Sequence, residues 1–228
     1  MPDDLALVLR SLKSGPAGAP KVLITGGATC EDIDPVRYIT NRSTGKMGVA
    51  VARAALALGM QPFLLLGAGA VRPPVAIPCV RFRSTADLQA KLERAFPWCD
   101  ALVMTAAVAD YTPAAYSESK IHKAGGDLVI RLRRTPDLLL ALSRHPARAG
   151  KRVCGFSLDT TMDLEEGRAK MAKKKLDMLV VNTTAAFAGD QTAATILTPG
   201  AAAPTPPRVS KYALGKAILA RLLAGMGK

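Results

Sequence analysis

Segment 41–48, with the sequence NRSTGKMG, combines residue types that bind phosphate. Ser43, Gly45 and Gly48 stand where a run of apolar residues at helical spacing begins. Small residues at the start of a helix let backbone N–H groups approach an anion, and the helix dipole favours negative charge there. No G-x-G-x-x-G fingerprint is present, and no Walker A motif, because methionine follows the lysine of this segment. We predict a phosphate-binding turn; a helix that is only well capped is the alternative.

Two lysine-rich segments supply further candidate anion contacts. Lys170 and Lys174 are four residues apart in a predicted helix and therefore share one face. Segment 120–123, KIHK, is basic and is predicted to be exposed. Gly125-Gly126 follows it closely and would let the segment move. Both segments are predicted to contact phosphate, with an ordinary solvated surface as the alternative.

Tyr116 and Lys120 have the Y-x-x-x-K spacing of short-chain dehydrogenases, in which the lysine lowers the pKa of the tyrosine. That motif lies on a helix and follows a catalytic serine and a glycine-rich cofactor loop. Neither companion is present, and the segment has the composition of a loop. We interpret the spacing as chance, and an NAD(P)-dependent oxidoreductase remains a rival.

The scaffold for these residues follows from short apolar runs that alternate with amphipathic segments. This alternation predicts a parallel, doubly wound sheet whose strand ends form one ligand-binding edge. The predicted strands are 21–25, 62–67, 80–82, 101–106, 153–158, 178–182 and 194–198. The predicted helices are 3–13, a helix from Ser43 or Thr44 to Gly59, and 86–96, 136–144, 164–176 and 211–226.

Three local features are predicted in more detail. Ser43 or Thr44 is expected to cap the helix that follows the phosphate turn. Pro136 is expected in the first turn of its helix. Segment 127–135 alternates apolar and charged residues, which predicts a half-exposed antiparallel strand, whereas 199–207 is predicted to be a loop.

Length and composition predict one domain of ordinary size. The chain has 228 residues, of which 49% are hydrophobic, so a single core is within reach. We divide it into an N-terminal segment and linker at 1–19 and one domain at 20–228. Four scattered cysteines and two histidines argue against a zinc site and for reduced thiols, hence a cytoplasmic location. No bilayer-spanning run or secretory peptide is predicted, so no membrane partner is expected.

The net charge of +13 predicts an anionic ligand. Only 4% of the residues are aromatic, which leaves few side chains on which the bases of a nucleic acid could stack. Small polyanions are therefore expected rather than nucleic acid. A non-enzymatic module that binds nucleic acid is kept as a rival.

Several stretches, in this order and spacing, resemble phosphopantothenoylcysteine synthetase, the ligase of coenzyme A synthesis. They are 23–48 (LITGGATCEDIDPVRYITNRSTGKMG), 105–111 (TAAVADY), 120–123 (KIHK), 135–139 (TPDLL), 155–160 (GFSLDT) and 173–182 (KKKLDMLVVN). The sequence departs mildly from the family at Ala28, Thr44 and His122, where a Gly, a Ser and often a Lys are usual. In most bacteria the ligase follows a flavin-dependent decarboxylase; a stand-alone form is expected here.

The resemblance implies a three-layer, Rossmann-like α/β fold with a small antiparallel excursion that serves dimerisation and a flap. It also implies a two-step reaction in a homodimer. CTP activates the carboxylate of 4'-phosphopantothenate as an acyl-cytidylate and releases pyrophosphate, after which the amine of cysteine displaces CMP. Mg²⁺ is the implied cofactor, with unknown ligands. Use of ATP, as in eukaryotic members, is an alternative.

The resemblance also assigns residues. Asn41 and Lys120 are the implied catalytic residues; Asn41 holds the acyl group, and Lys120 lies on a mobile flap within 112–126. The implied nucleotide site consists of Gly27, Ser43, Gly45, Gly48, Ala106, Asp110, Lys120, Thr135, Pro136, Asp137, Leu138, Phe156, Lys170 and Lys174. The implied site for phosphopantothenate consists of Arg37, Asn41, Ala106, Ala107 and Asp110, with Arg37 supplied by the neighbouring subunit.

Overall fold

A computed structural model describes residues 4–123, 125–159, 162–183, 189–205 and 208–224 of the chain. Some predictions fall outside these residues: Thr160 of motif 155–160, residue 3 of the first predicted helix, and residues 225–226 of the last one. Within the described ranges, no helix has the length and apolar character needed to cross a bilayer.

The chain forms six α-helices and fourteen strands over the residues described. The helices are α1 (Asp4–Ser11), α2 (Lys46–Ala57), α3 (Thr85–Ala95), α4 (Leu138–Leu142), α5 (Leu164–Lys173) and α6 (Lys211–Leu222). The strands are β1 (Lys21–Gly26), β2 (Cys30–Asp32), β3 (Tyr38–Thr40), β4 (Gln61–Gly67), β5 (Cys79–Phe82), β6 (Ala101–Met104), β7 (Tyr111–Pro113), β8 (Leu132–Arg134), β9 (Arg152–Asp159), β10 (Met178–Thr183), β11 (Gln191–Thr192), β12 (Ala194–Thr198), β13 (Ala201–Pro204) and β14 (Val209–Ser210).

Eight strands form the central sheet in the order β13-β12-β10-β9-β6-β1-β4-β5. The six from β10 to β5 are parallel, and β12 and β13 continue the sheet antiparallel. The direction of winding reverses between β1 and β6, which is where ligands bind in open α/β sheets. The predicted doubly wound, mainly parallel α/β fold is confirmed.

Two helical layers bury the two faces of the sheet. Side chains of α1, α3, α4 and α5 pack in one apolar cluster, and α2 and α6 pack in the other. The central strands are apolar at nearly every position because both faces are covered; Val22, Leu23 and Ile24 of β1 are all fully buried. This is the three-layer arrangement that the resemblance implied.

The N-terminal segment packs onto the body of the protein. Leu5 and Leu12 are buried in the cluster of α3 and β5, and the side chain of Gln61 donates to the carbonyl oxygen of Leu12 at 2.7 Å. The proposed division between residues 19 and 20 stays a prediction.

Two helix starts differ from the prediction. Neither Ser43 nor Thr44 caps α2: its N-cap is Gly45, whose φ of 77° lies in the left-handed region that glycine tolerates. Pro136 is not in the first turn of α4, because Asp137 is the N-cap and its carboxylate accepts from the N–H of Leu140 at 3.1 Å. Asp is a preferred N-cap residue, and it sets the start of the helix.

Two strand predictions also need correction. Within 127–135 the predicted antiparallel pairing is confirmed but the strand is shorter: only β8 forms, and it pairs with β7. Both faces of the segment are exposed, so no apolar face stabilises a longer strand. The predicted loop 199–207 contains β13, which pairs antiparallel with β12 through a turn at Gly200. Small alanine side chains and the edge position permit this pairing, and Pro204 is tolerated at an edge.

Candidate functional site

A cleft of about 780 Å³ opens at the carboxyl edge of the sheet, above β6, β9 and β10. The segments before α2, after β6 and before α4 form much of its wall. Its lining includes thirteen residues of the predicted site: Asn41, Ser43, Gly45, Ala106, Ala107, Asp110, Thr135, Pro136, Asp137, Leu138, Phe156, Lys170 and Lys174. Stretches distant in sequence are therefore brought to one place.

The segments after β1 and β6 are joined directly at the switch point. Ala28 and Ala107 form a parallel bridge. The N–H of Ala107 donates to the carbonyl oxygen of Gly27 at 2.8 Å, and the carbonyl oxygen of Ala107 accepts from the N–H of Thr29 at 3.2 Å. Below them, the Thr105 hydroxyl donates to the carbonyl oxygen of Thr25 at 2.7 Å. These bonds fix the floor of the cleft.

Asn41 is oriented by this floor. Its side-chain nitrogen donates to the carbonyl oxygens of Ala107 and Val108, both at 3.3 Å. The amide oxygen is consequently the acceptor that Asn41 presents to a bound molecule. An acceptor in a cleft beside exposed backbone is suited to hold an amine or an N–H group.

The beginning of α2 lies at the cleft because the backbone approaches β1 closely. A Cβ on Gly48 would lie 2.9 Å from the Cα of Gly26 and 2.9 Å from the carbonyl oxygen of Thr25. A Cβ on Gly27 would lie 2.9 Å from the Cβ of Ala70, and the φ of Gly27 is 81°. Gly27 and Gly48 do not line the cleft within the described chain; they let α2 approach, and their contact with phosphate stays a prediction.

Lys170 and Lys174 of the α5 region form one basic wall. Lys170 Nζ lies 2.8 Å from a carboxylate oxygen of Glu166 and 3.3 Å from the hydroxyl of Ser157. Lys174 Nζ lies 3.0 Å from a carboxylate oxygen of Asp137. Both cations are thus held by side chains at the cleft, where they face the space that a polyanion would occupy.

Lys46 and Lys211, which were not predicted, form a second basic wall. They are the first residues of α2 and α6 and both line the cleft. Lys46 Nζ lies 2.9 Å from Asp190 Oδ1, and Lys211 Nζ donates to the carbonyl oxygen of Gly189. Burial lowers the pKa of Lys211 and Lys46 lowers it further, while hydrogen bonding from Lys46 lowers the pKa of Asp190.

The two N-termini lie together because α2 and α6 pack side by side in the same direction. A Cβ on Gly215 would lie 3.1 Å from the Cα of Val51, so the helix axes approach closely. Two helix dipoles and two lysines therefore act on one end of the cleft. In the sequence, Lys211 could have been noticed as a lysine at the start of an amphipathic helix. The sequence does not show that α6 packs beside α2, so it could not place Lys211 next to Lys46.

The remaining predicted contacts come from the segment between β6 and α4 and from Phe156 of β9. The N–H of Thr135 donates to the carbonyl oxygen of Asp110 at 2.9 Å, which joins two parts of the predicted site. Leu138 is buried beneath them, and Phe156 of β9 is half-buried at the cleft wall. The lining residues Thr192 and Asn182 were not predicted, and the side-chain oxygen of Asn182 is buried without a hydrogen-bond partner in the described structure.

Arg37 and Lys120 do not line the cleft within the described residues. Arg37 instead binds Asp34 and donates to the carbonyl oxygen of Ile121 at 2.7 Å. Lys120 is exposed on an irregular segment that also carries Tyr116, so the Y-x-x-x-K spacing does not lie on a helix. The roles assigned to Arg37 and Lys120 stay predictions.

The residues fit a magnesium ion that arrives with a nucleotide. In the described ranges no group of three or more His, Cys, Asp or Glu side chains is arranged to hold a metal. Mg²⁺ bound to substrate phosphates needs only one or two protein carboxylates. Asp110 lines the cleft and is exposed, so it is suited to this contact.

The family model for the DNA/pantothenate metabolism flavoprotein C-terminal domain matches residues 18–226. The chain belongs to this family. The matched range, 18–226, includes every strand of the central sheet and every residue of the cleft lining. It also confirms the resemblance to phosphopantothenoylcysteine synthetases that the motifs indicated.

Two curated relatives are longer than this chain. It is 37% identical over 175 residues to a cysteine/cysteine sulfinic acid decarboxylase from an unknown prokaryotic organism, covering 76% of this chain and 48% of the relative. It is 36% identical over 189 residues to the coenzyme A biosynthesis bifunctional protein CoaBC of Bacillus subtilis (strain 168), covering 80% and 46%. The chain spans about half the length of these relatives.

A crystal structure of the C-terminal domain of a coenzyme A biosynthesis bifunctional protein CoaBC has the same fold. The TM-score is 0.77 at 31% identity, with 91% of this chain and 95% of that domain covered. The chain therefore corresponds in fold to the C-terminal domain of that protein.

Proposed function

We propose that the protein is a phosphopantothenate–cysteine ligase of coenzyme A synthesis that uses CTP. The proposal rests above all on one observation: Asn41 is held by Ala107 and Val108 in a cleft that has a basic wall on either side. Family membership and similarity to the C-terminal domain of CoaBC support the ligase reaction. The choice of CTP follows only from the resemblance to bacterial members of the family, which use CTP.

In the first step, a carboxylate oxygen of phosphopantothenate attacks the α-phosphorus of CTP. The bond to the β-phosphate breaks, and pyrophosphate leaves with the negative charge. Lys46 and Lys211, together with the beginning of α2, are placed to hold the phosphates and to stabilise this charge. Mg²⁺, when bound with the nucleotide, would neutralise phosphate charge.

In the second step, the amine of cysteine attacks the acyl carbon of the mixed anhydride. The carbon–oxygen bond to CMP breaks, CMP leaves, and the attacking nitrogen loses a proton. Asn41 presents its amide oxygen in the cleft and is suited to orient this amine or the neighbouring acyl group. Lys170 and Lys174 are placed to hold CMP from the opposite wall.

Pyrophosphate release tests the proposal. Purified protein is mixed with phosphopantothenate and cysteine, and with either CTP or ATP, in the presence of Mg²⁺. Pyrophosphate release with CTP that depends on both other substrates is expected. A preference for ATP would overturn the choice of nucleotide, and no release with either would overturn the ligase. Omission of Mg²⁺ tests the cofactor in the same assay.

We further propose that the enzyme is a cytoplasmic homodimer. Large apolar side chains are exposed on and beside the small antiparallel sheets, including Val36, Tyr38, Tyr111 and Leu132. Exposed apolar groups that lie close together are typical of an interface. Light scattering on the purified protein tests the oligomer; a monomer at micromolar concentration would contradict it.

A further inference from the structure

Asp34 is a carboxylate that no role in the proposed reaction uses. Its side chain is completely buried, in the connection between β2 and β3 and outside the cleft lining as described. A buried charge is costly unless it is paired and hydrogen-bonded. The groups that compensate this charge therefore show what the carboxylate holds together.

The first set of partners belongs to its own turn. Oδ1 accepts from the backbone N–H groups of Val36, at 2.9 Å, and Arg37, at 2.8 Å. Oδ2 accepts from Nε of Arg37 at 3.0 Å and also pairs with Nη2 of the same side chain. Asp34 thus fixes both the backbone and the guanidinium of Arg37.

The second set of partners belongs to the segment that carries Lys120. Oδ2 of Asp34 accepts from the N–H of Ile121 at 3.1 Å, and Nη2 of Arg37 donates to the carbonyl oxygen of Ile121 at 2.7 Å. Ser117 N–H donates to the carbonyl oxygen of Ile33 at 3.0 Å. The ion pair of Asp34 and Arg37 therefore binds both the backbone N–H and the backbone carbonyl oxygen of Ile121.

Little apolar burial holds segment 117–121 in place. Glu118, Ser119 and Lys120 are exposed, and Ile121 is only half-buried. Hydrogen bonds to the turn 33–37 consequently decide where the backbone of Lys120 lies. The side chain of Arg37 keeps 41% of its surface exposed, so it remains open to an anion while it is held by Asp34.

We propose that Asp34 is a positioning residue that fixes Arg37 and the backbone next to Lys120 as one unit. This role rests on the proposed function for its effect on turnover, because the resemblance to the ligase family assigns Arg37 to the substrate phosphate and Lys120 to the flap. The carboxylate of Asp34 then affects two events. It orients Arg37 to bind the phosphate of the acid substrate, and it fixes the position of the segment that carries Lys120. Its charge acts through both neighbours without touching the substrate.

Asp34→Asn is the main test, because the amide keeps the shape but replaces one acceptor oxygen with a donor. The KM for phosphopantothenate is expected to rise about tenfold and kcat to fall about tenfold, by analogy with the loss of a partner that orients a metal ligand. The KM for CTP should stay within about twofold, since the groups at the cleft walls are unchanged. Asp32→Asn is the matched control: it lies on the adjacent strand β2, and its partner is Arg83.

Amide hydrogen exchange gives a readout that does not depend on activity. Exchange at Ile121 and Ser117 should accelerate in Asp34→Asn but not in Asp32→Asn. Equal exchange in the two variants would overturn the proposal, as would a fall in kcat with no change in the KM for phosphopantothenate. If wild-type protein shows no ligase activity, the proposed function fails, and exchange alone then decides whether Asp34 holds the segment.

Arg37→Lys is a second test of the proposal, for use if the Asp34→Asn variant does not fold. It keeps the cation beside Asp34 but removes the forked donors that reach Asp34 and Ile121. The same rise in the KM for phosphopantothenate and the same faster exchange at Ile121 are expected. Normal exchange at Ile121 in this variant would overturn the proposal.

Discussion

The side-chain nitrogen of Asn41 lies 3.3 Å from the carbonyl oxygen of Ala107 and so joins the segment before α2 to the segment after β6. The two residues come from opposite sides of the switch point of the sheet. Their contact orients the one neutral side chain that the family resemblance assigns to catalysis. The same contact defines the first prediction.

Asn41→Asp should allow the acyl-cytidylate to form but slow its capture by cysteine. A carboxylate cannot donate to Ala107 and Val108, so the orientation of residue 41 is lost and the attacking amine is no longer placed. Isotope exchange between pyrophosphate and CTP, which reports the first step, should persist while product formation falls about 100-fold. Loss of exchange alone would contradict this assignment. Asn182→Asp, at another asparagine of the cleft lining, is the comparison variant.

Lys120→Gln should lower kcat far more than it weakens CTP binding. Lys120 does not line the cleft in the described structure, so it contributes little to ground-state binding of the nucleotide. A lysine that reaches the phosphates only as the reaction proceeds affects turnover. Lys123→Gln, on the same exposed segment, is the matched control and should be nearly silent. An unchanged kcat in Lys120→Gln would show that this lysine is not catalytic.

Lys46→Met should weaken nucleotide binding by roughly 10- to 100-fold, the usual effect of removing one charged hydrogen bond of about 1.5–3 kcal/mol. Lys211→Met should do the same, although its burial adds a loss of stability. Calorimetric titration with CTP measures the change. Lys216→Met, on an exposed turn of α6, provides the control. Equal affinity in Lys46→Met and Lys216→Met would remove the second basic wall from the nucleotide site.

Gly48→Ala should destabilise the fold before it affects any ligand. Its Cβ would lie 2.9 Å from the backbone of Gly26 and Thr25, and neither can move without shifting β1. Overpacking of this kind costs about 1–3 kcal/mol, and each kcal/mol lowers Tm by roughly 2–4 °C in a protein of this size. Gly69→Ala, where a Cβ meets nothing within 4 Å, should leave Tm unchanged. A normal Tm in Gly48→Ala would indicate that α2 is not held so closely.

Asp34 should make the stability of the protein sensitive to acid. The side chain of Arg37 holds the pKa of this carboxyl well below its ordinary value of 3.8, and the backbone N–H groups of Ile121, Val36 and Arg37 contribute. A lowered pKa in the folded state stabilises the fold above the ordinary value, and this stabilisation is lost as the pH falls below it. The free energy of unfolding in urea should therefore fall less between about pH 5 and pH 3 in Asp34→Asn than in wild type. Equal acid dependence would contradict the shift.

The sequence predicts the sheet and the cleft edge well because both depend on local patterns. A continuous apolar run such as that of β1 is stable only when both of its faces are buried. The carboxyl ends of parallel strands lie at the same edge of the sheet. Helix starts are predicted less well. Ser43 and Thr44 are preferred cap residues, but the left-handed backbone at Gly45 decides where α2 begins. Family membership confirms the resemblance, whereas the roles of individual residues stay predictions.

The parts that were not predicted depend on pairing between distant segments. Lys211 lies at the cleft because Gly215 permits α6 to pack against Val51 of α2, and no spacing within α6 reveals that neighbour. Asp34 precedes a proline between the predicted strand 21–25 and the helix that follows the phosphate turn, and the sequence assigns it no role. Its burial depends on Ile121, which no local pattern connects to it.

The order of the elements along the chain has a consequence for synthesis in the cell. Every strand of the cleft floor leaves the ribosome before α6, but the wall that contains Lys211 is built from α6. Nascent chains fold from the N-terminal side as they emerge. A growing chain can therefore assemble most of its sheet and still lack one side of the cleft, so the proposed nucleotide site is complete only when α6 docks beside α2.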